Sequence, residues 1–294
     1  MNKVFVLCSA MIIGFLSCTA KDTKKNNGET KEKSLLWSIS GNGLEKTSYI
    51  LGTIHLICPD DYFWTEKMQE AFEASEKIAF ELDMDDPALS ARVQSGLVLK
   101  DGKKLKDFFT DEEYGKLSDF SQENLGMPLD LLQSYKPFAL MSLISMKSAS
   151  CMIPESYEGN IMKIALEADK EILGLETADD QLAIFDAMNP DTVADQLMSV
   201  IENFDSLKSQ YNQMLITYKE QDLEGLHQLV IESPDFKFDL NTLLYNRNRK
   251  WIGQIKELSN EHAMFYAVGA GHLSGDEGVL NLLREQGFTV EPVK

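Results

Sequence analysis

The chain of 294 residues lacks most of the features that would fix a function at once. It has only four cysteines, four histidines and eight prolines. It contains no His-Glu-x-x-His motif, no Gly-x-Ser-x-Gly elbow and no Gly-x-x-x-x-Gly-Lys phosphate loop. Those absences exclude zincin-type sites, the serine-hydrolase elbow and P-loop nucleotide binding. Cys8 and Cys18 fall in the first eighteen residues, so the body keeps only Cys58 and Cys151. One disulfide in an oxidising compartment and two buried free thiols fit this pair equally. Basic residues are scarce: 28 Lys and Arg stand against 47 Asp and Glu, a formal net charge of −19. So acidic a surface repels phosphate backbones, which argues against a nucleic-acid partner. Beyond the leader, no apolar run reaches the ~18 residues of a membrane-spanning helix.

What is present begins with that leader. Lys3 gives a positive start, Val4 to Leu16 is mostly apolar, and Phe15-Leu16-Ser17-Cys18 closes the run. Residues 1–17 read as an export signal. The cysteine resembles that of a bacterial lipobox, with Leu one place later than usual. This implies cleavage before Cys18 and membrane attachment through a lipid on its thiol. The alternative is an ordinary secretory signal cut nearby, after Ala20 for example. Either way the expected location is the cell envelope, periplasmic or surface-facing. Lys21 to Lys33 has no apolar residue, so residues 18–33 read as a solvated tether. Residues 34–294 are expected to form a single domain.

The body opens and closes with alternating strands and helices. Leu35 to Ile39 and Ser48 to Thr53 read as a hairpin around the Gly41-Asn42-Gly43 turn. Thr65 to Ala74 has helical spacing with Thr65 as cap, and Lys77 to Leu82 is a short buried strand. From about 87 to 246 the pattern is mostly helical. Leu131–Met146 and Asp191–Tyr218 are long helical stretches, and Glu171 to Glu176 is the interrupting strand. At the end come a strand over Ala263–Val268, a helix over Asp276–Gln286 and a strand over Phe288–Val293. The predicted fold is therefore mixed α/β. Two related strand–Gly-x-x-His–helix–strand units share one sheet, with a large helical insertion between them.

The two units carry Gly52-Thr53-Ile54-His55 and Gly269-Ala270-Gly271-His272. A His just past a buried strand faces the crevice at the sheet's carboxyl edge, where open α/β sheets bind ligands. Glu81 ends another strand among apolar neighbours, where a carboxylate needs a cation. Two neutral imidazoles and a carboxylate suit a divalent transition ion with open positions for water. A cap or salt bridge is the plainer reading of Glu81. Asp83 reads as outer support or a cap. Glu176 ends a third strand, as general base, further ligand or merely the cap of the next helix. Arg247 is placed to bind a substrate carboxylate or stabilise an oxyanion, or else to make a surface salt bridge. Arg249, Cys58, His227 and His262 rank lower, the last two as surface residues.

These residues together resemble the TraB/GumN family, which includes the animal Tiki proteases. The resemblance rests on Leu36-Trp37, on Leu51 to His55, and on Phe80-Glu81-Leu82-Asp83 with Asp86-Pro87. It continues in Gly174-Leu175-Glu176-Thr177 with Gln181, in Arg247-Asn248, and in Val268 to Leu273 with Gly275. It covers nearly the whole chain from Leu35 to Val293. It implies paired Gly-x-x-His motifs around one site and manganese- or cobalt-dependent proteolysis, with His55, Glu81 and His272 as ligands. The expected function is a metal-dependent hydrolase acting on a peptide or protein, with manganese, cobalt or zinc as cofactor. The competing expectations are a non-catalytic envelope lipoprotein that captures a peptide or metal, and a haem- or iron-binding lipoprotein. Nothing in the sequence speaks to oligomeric state.

Overall fold

The computed structural model describes residues 33–232 and 240–294. The expected signal at 1–17, the anchor at Cys18 and the tether as far as residue 32 lie outside the described residues. Strands Leu36–Gly41 (β1) and Ser48–Thr53 (β2) precede helix Glu66–Ala74 (α1) and strand Lys77–Leu82 (β3). Helices Leu89–Gly96 (α2), Asp111–Phe120 (α3), Pro137–Met146 (α4) and Tyr157–Glu167 (α5) lead to strand Glu171–Glu176 (β4). Then come helices Ala178–Asp186 (α6), Pro190–Glu202 (α7), Phe204–Lys219 (α8), Leu223–Glu232 (α9) and Asn246–Glu261 (α10). Strand Met264–Gly269 (β5), helix Val279–Glu285 (α11) and strand Phe288–Pro292 (β6) end the fold. Among the described residues no helix is long and apolar enough to cross a membrane.

The six strands form one mixed sheet in the order β4-β3-β5-β2-β1-β6. β4, β3, β5 and β2 run parallel, and β1 is antiparallel to both β2 and β6. The predicted hairpin is therefore present, with Leu36 opposite Leu51. Both expected units, β2–α1–β3 and β5–α11–β6, are also there, but they interleave. β5 pairs on one side with β2, through Tyr49 and Phe265, and on the other with β3, through Ile78 and Phe265. Every residue of β5 is buried, as a strand covered on both faces must be. Ile50, Leu51, Ile78, Ala79 and Phe80 from its neighbours complete the central core.

The expected helix after β2 forms because its apolar positions fall on one face, where Met68, Ala71 and Phe72 are buried. Thr65 caps it, its hydroxyl oxygen accepting from the Met68 N–H, which satisfies one of the unpaired first-turn donors. Three expected helices are shorter than their periodicity suggests. The stretch Leu131–Met146 breaks before Pro137. Lys136 takes an extended conformation and Pro137 stands in the first turn of α4, since proline disfavours a helical predecessor and lacks the N–H. Asp191–Tyr218 divides at Asn203, whose φ of −120° and ψ of 30° leave the helical region. The expected helix from Asp276 begins only at Val279, after a turn in which Gly275 has φ +86°.

The helical stretch between β3 and α10 builds a satellite core of its own from Leu105, Leu117, Leu140, Ile144, Leu197 and Leu207. It is also stitched to the carboxyl edge of the sheet. The Tyr218 hydroxyl donates to the Gly52 carbonyl at 3.0 Å and the Tyr211 hydroxyl to the Leu56 carbonyl at 3.2 Å. Ile57 and Glu155 exchange backbone hydrogen bonds at 2.9 and 2.7 Å. A disulfide joins Cys58 to Cys151, which closes the alternative of two free thiols and removes Cys58 as a metal ligand. The loop after β2 is thus held by groups 93 to 166 residues further along the chain.

Candidate functional site

Four parallel strands end at one edge, and each delivers a polar group there. His55 follows β2, Glu81 lies near the end of β3, Glu176 ends β4, and His272 follows β5. Thr53 lies opposite Gly269 in the β2–β5 pairing, so the two Gly-x-x-His turns leave the sheet side by side. Arg247 enters the same space from the first turn of α10. The structure brings together all five residues expected from the sequence.

His55 is held by a residue that the sequence reading passed over. The ring Nδ1 lies 2.9 Å from Glu158 Oε1, in the first turn of α5. The same carboxylate accepts from the Thr53 hydroxyl at 2.6 Å and the Ser156 hydroxyl at 3.0 Å. Burial works against charge on both groups. It is outweighed by their mutual attraction, which raises the His55 pKa and lowers that of Glu158. With Nδ1 donating to Glu158, Nε2 is the nitrogen that faces the site.

His272 is arranged in parallel fashion but with a neutral partner. Its Nδ1 lies 2.6 Å from Asn248 Oδ1. The Asn248 amide N–H groups donate to the His272 and Glu277 carbonyls at 3.2 and 2.7 Å, so the oxygen must face the ring. Nδ1 therefore carries the proton and Nε2 the lone pair. The ring is 2 % exposed and lies against Trp251, with centroids 4.5 Å apart. Burial, with the neighbouring Arg247 charge, pushes its pKa down to about 3.

Arg247 ties the remaining groups together. Nη2 donates to Glu81 Oε2 at 2.6 Å and also to Glu176 Oε1. Nε donates to both Glu176 oxygens at 3.0 and 3.1 Å. Nη1 donates to the Leu243 carbonyl at 3.0 Å and to His272 Nε2 at 3.1 Å. The guanidinium stacks 5.0 Å from the Trp251 ring centroid. Burial would raise the Glu81 pKa, but Arg247, the two histidines and the Gly269 N–H, 2.9 Å from Oε1, hold it far below the usual carboxylate range. Glu176 does not cap the following helix. Thr177 does so, in a capping box with Asp180. Gln181 instead donates to Glu176 at 2.7 Å.

Several lower-ranked residues fall outside the site, and one expectation about them is corrected. His227 is not a surface residue: it is 8 % exposed and packed beneath Gly275, where a Cβ would meet its Nε2 at 2.4 Å. Only a residue without a side chain fits there, and the φ of +86° has the same requirement. His262 does lie towards the surface, beside Glu76 at 3.3 Å. Arg249 pairs with Glu277 at the surface. Asp83 is exposed, and partial burial with the nearby Asp85 raises its pKa to about 6.

The donor chemistry fits a divalent transition ion. Two imidazoles present Nε2 towards one carboxylate, each with Nδ1 anchored, the usual outer support of a metal-bound histidine. Gly269 leaves a cradle between them: a Cβ there would lie 3.3 Å from both His55 Nε2 and Glu81 Oε1. His272 Nε2 is 3.8 Å from the same Glu81 oxygen. Among the described residues, however, no three His, Cys, Asp or Glu side chains converge tightly enough, as they stand, to hold an ion. The group standing among them is the Arg247 guanidinium.

Comparison with known proteins gives a family and several named relatives. The model of the TraB/PrgY/gumN family matches residues 35–292. "Metalloprotease TIKI2" of Danio rerio is 23% identical over 347 residues, covering 97% of this chain and 66% of the relative. "Metalloprotease TIKI1" of Homo sapiens is 23% identical, covering 90% of this chain and 62% of the relative. "Metalloprotease TIKI2" of Xenopus tropicalis is 22% identical, covering 88% and 59%. The chain spans somewhat less than two-thirds of the length of these curated relatives. No solved structure matches it.

Proposed function

The chain belongs to the TraB/PrgY/gumN family, and on that premise we propose that it is a metal-dependent hydrolase acting on peptide bonds. The observation that carries the reading is that His55 Nε2 and Glu81 flank the side-chain-free Gly269, with His272 Nε2 3.8 Å from Glu81, at the ends of three neighbouring parallel strands. Relatives named as metalloproteases support the reaction class. In this reading His55, Glu81 and His272 hold manganese, cobalt or zinc. When bound, such an ion polarises a carbonyl and lowers the pKa of water towards neutrality.

The chain's own groups have separate tasks. Glu158 and Asn248 fix the two rings as Nδ1–H tautomers and prevent them from rotating away. Arg247 supplies N–H donors where negative charge develops on a substrate carbonyl oxygen, a contribution of about 3–4 kcal/mol for one well-placed donor. Glu176 accepts from both Nε and Nη2 of Arg247 and from Gln181. With its oxygens so engaged, its role is to position the guanidinium rather than to take a proton. Export, with a lipid on Cys18, is part of the same proposal. Its support is the leader sequence together with a disulfide suited to an oxidising compartment.

The test is elemental analysis of the purified mature protein beside its His55→Ala/His272→Ala double variant, followed by a peptide-library cleavage screen with added manganese or cobalt. About one ion per chain, lost in a folded double variant, and ion-dependent cleavage are expected. Protein that fails to take up added ions overturns the reading, and ion uptake without cleavage of any peptide reduces it to a binding protein.

A further inference from the structure

We propose that Arg247 is the resident cation of the metal-free pocket, and that its guanidinium and a divalent ion are mutually exclusive partners of His272 Nε2 and Glu81 Oε2. The inference rests on the proposed metal-dependent reading and adds to it a gate built from the chain's own side chain.

The argument starts from the lone pairs. His272 has one, on Nε2, because Asn248 fixes its proton on Nδ1. That lone pair accepts from Arg247 Nη1 at 3.1 Å. Glu81 Oε2 accepts from Arg247 Nη2 at 2.6 Å. Neither atom can bind an ion in that direction while the guanidinium is there. A cationic fork and a divalent ion within the same 3–4 Å would also repel strongly in a buried setting. This accounts for a pocket whose donors suit an ion while the described side chains do not close into a cage.

Release need not expel the arginine. Nε donates to both oxygens of Glu176 at 3.0 and 3.1 Å, and the guanidinium is stacked on Trp251. A small rotation that keeps the Nε–Glu176 contacts frees Nη1 and Nη2 from His272 and Glu81. The same two groups are then free to donate to another acceptor. One residue thus balances Glu81 and Glu176 in the empty pocket and becomes an oxyanion donor in the loaded one. Unpaired, those buried carboxylates would be strongly destabilising.

The test uses metal-free full-length mature protein and zinc, with binding measured by calorimetry and by NMR of ¹⁵N-arginine-labelled samples. Arg247→Lys keeps the charge but loses the fork, so any gain in affinity reports freed donors rather than removed charge. Arg247→Gln removes both. Zinc affinity is expected to rise about tenfold or more in Arg247→Lys and further in Arg247→Gln. Zinc uptake by a variant while the wild type takes up none supports the mutual exclusion of guanidinium and ion but overturns the metal-dependent reading of the wild type. In the wild type, the shielded Arg247 Nε resonance should shift on stoichiometric zinc, a readout that stands even if a variant does not fold. If zinc binds the wild type without moving that resonance, or binds a folded Arg247→Lys no tighter, the gate is overturned while the metal-dependent reading survives. If neither the wild type nor any folded variant takes up zinc, cobalt or manganese, both fall.

Discussion

The Glu158 carboxylate lies 2.9 Å from the Nδ1 of His55, a partner 103 residues away in sequence. The contact joins the loop after β2 to the first turn of α5 and fixes which ring nitrogen faces the pocket. Glu158→Gln removes the negative charge but keeps a hydrogen-bonding group. The His55 pKa, now raised chiefly by Glu158 against the effect of burial, should fall, as followed by NMR titration of the imidazole. Loss of a buried charge-assisted contact should cost about 1.5–3 kcal/mol in urea unfolding. A His55 titration unchanged in the variant would show that the ring is held by something else.

The two motif histidines should respond to pH with opposite signs. The His272 pKa lies near 3 against an ordinary 6.5. Between these values the unfolded chain takes up a proton that the folded one refuses, so stability falls as pH drops through the window. The slope is at most about 1.4 kcal/mol per pH unit. The His55 pKa is raised, so its contribution is fully present below about 6.5 and is lost as pH rises through the raised value. Glu81 and Glu158 have lowered pKa values, so their contributions are present above about 4.5 and lost as pH falls through the folded values. Comparing urea midpoints of wild type and His272→Gln between pH 6.5 and 4.5 isolates the first effect: the variant should lose less stability on acidification. Parallel curves would mean that His272 titrates normally.

Arg247 compensates two buried carboxylates at once. Arg247→Met should destabilise the metal-free protein by about 3–5 kcal/mol, the usual result of leaving a buried charge unpaired. Adding Glu176→Gln removes one of those charges and should recover part of the loss. A double-mutant cycle in urea should return a coupling of about 1 kcal/mol or more. Strictly additive effects would show that the two side chains do not act on one another.

The Cys58–Cys151 bridge closes a loop 93 residues long. Cys58→Ser/Cys151→Ser should lower stability by about 2–4 kcal/mol, largely through the unfolded chain. Alkylation of the native mature protein should add mass at neither cysteine until a dithiol reductant is supplied. Free labelling without reductant would refute the bridge.

Gly269 has ordinary backbone angles, φ −53° and ψ 132°, so alanine is allowed there by conformation. Its methyl would nevertheless lie 3.3 Å from His55 Nε2 and Glu81 Oε1. Gly269→Ala should therefore fold with little change in melting temperature while zinc or cobalt affinity drops about tenfold or more, as for other changes that disturb ligand placement. Unaltered affinity would move the ion's position away from this cradle.

Much of the fold was legible because it is local. Short apolar runs marked β2, β3 and β5, and Thr65 marked a helix start by the hydroxyl that satisfies a first-turn N–H group. The repeated Gly-x-x-His turns marked His55 and His272, and the ends of apolar strands marked Glu81 and Glu176. The helix ends were less legible. Apolar periodicity runs through Lys136 and Asn203, where a following proline in one case and non-helical backbone angles in the other break the chain.

Sequence alone could not decide which partner each site residue would take, because those contacts join residues 24 to 166 positions apart and depend on β5 being inserted between β2 and β3. Glu158 sits in the unremarkable run Ser156-Tyr157-Glu158-Gly159, and nothing near it in the chain points to His55. Asn248 was visible only as a companion of Arg247. Arg247 itself had equal claims to the surface and to the site until α10 was packed against the sheet. The amino acids determined which groups would stand at the strand ends, through the short-range rules of strands, turns and caps. Only the tertiary structure decided that they share one buried space. There the low dielectric makes one guanidinium, two carboxylates and two imidazoles interact strongly enough to set one another's charge.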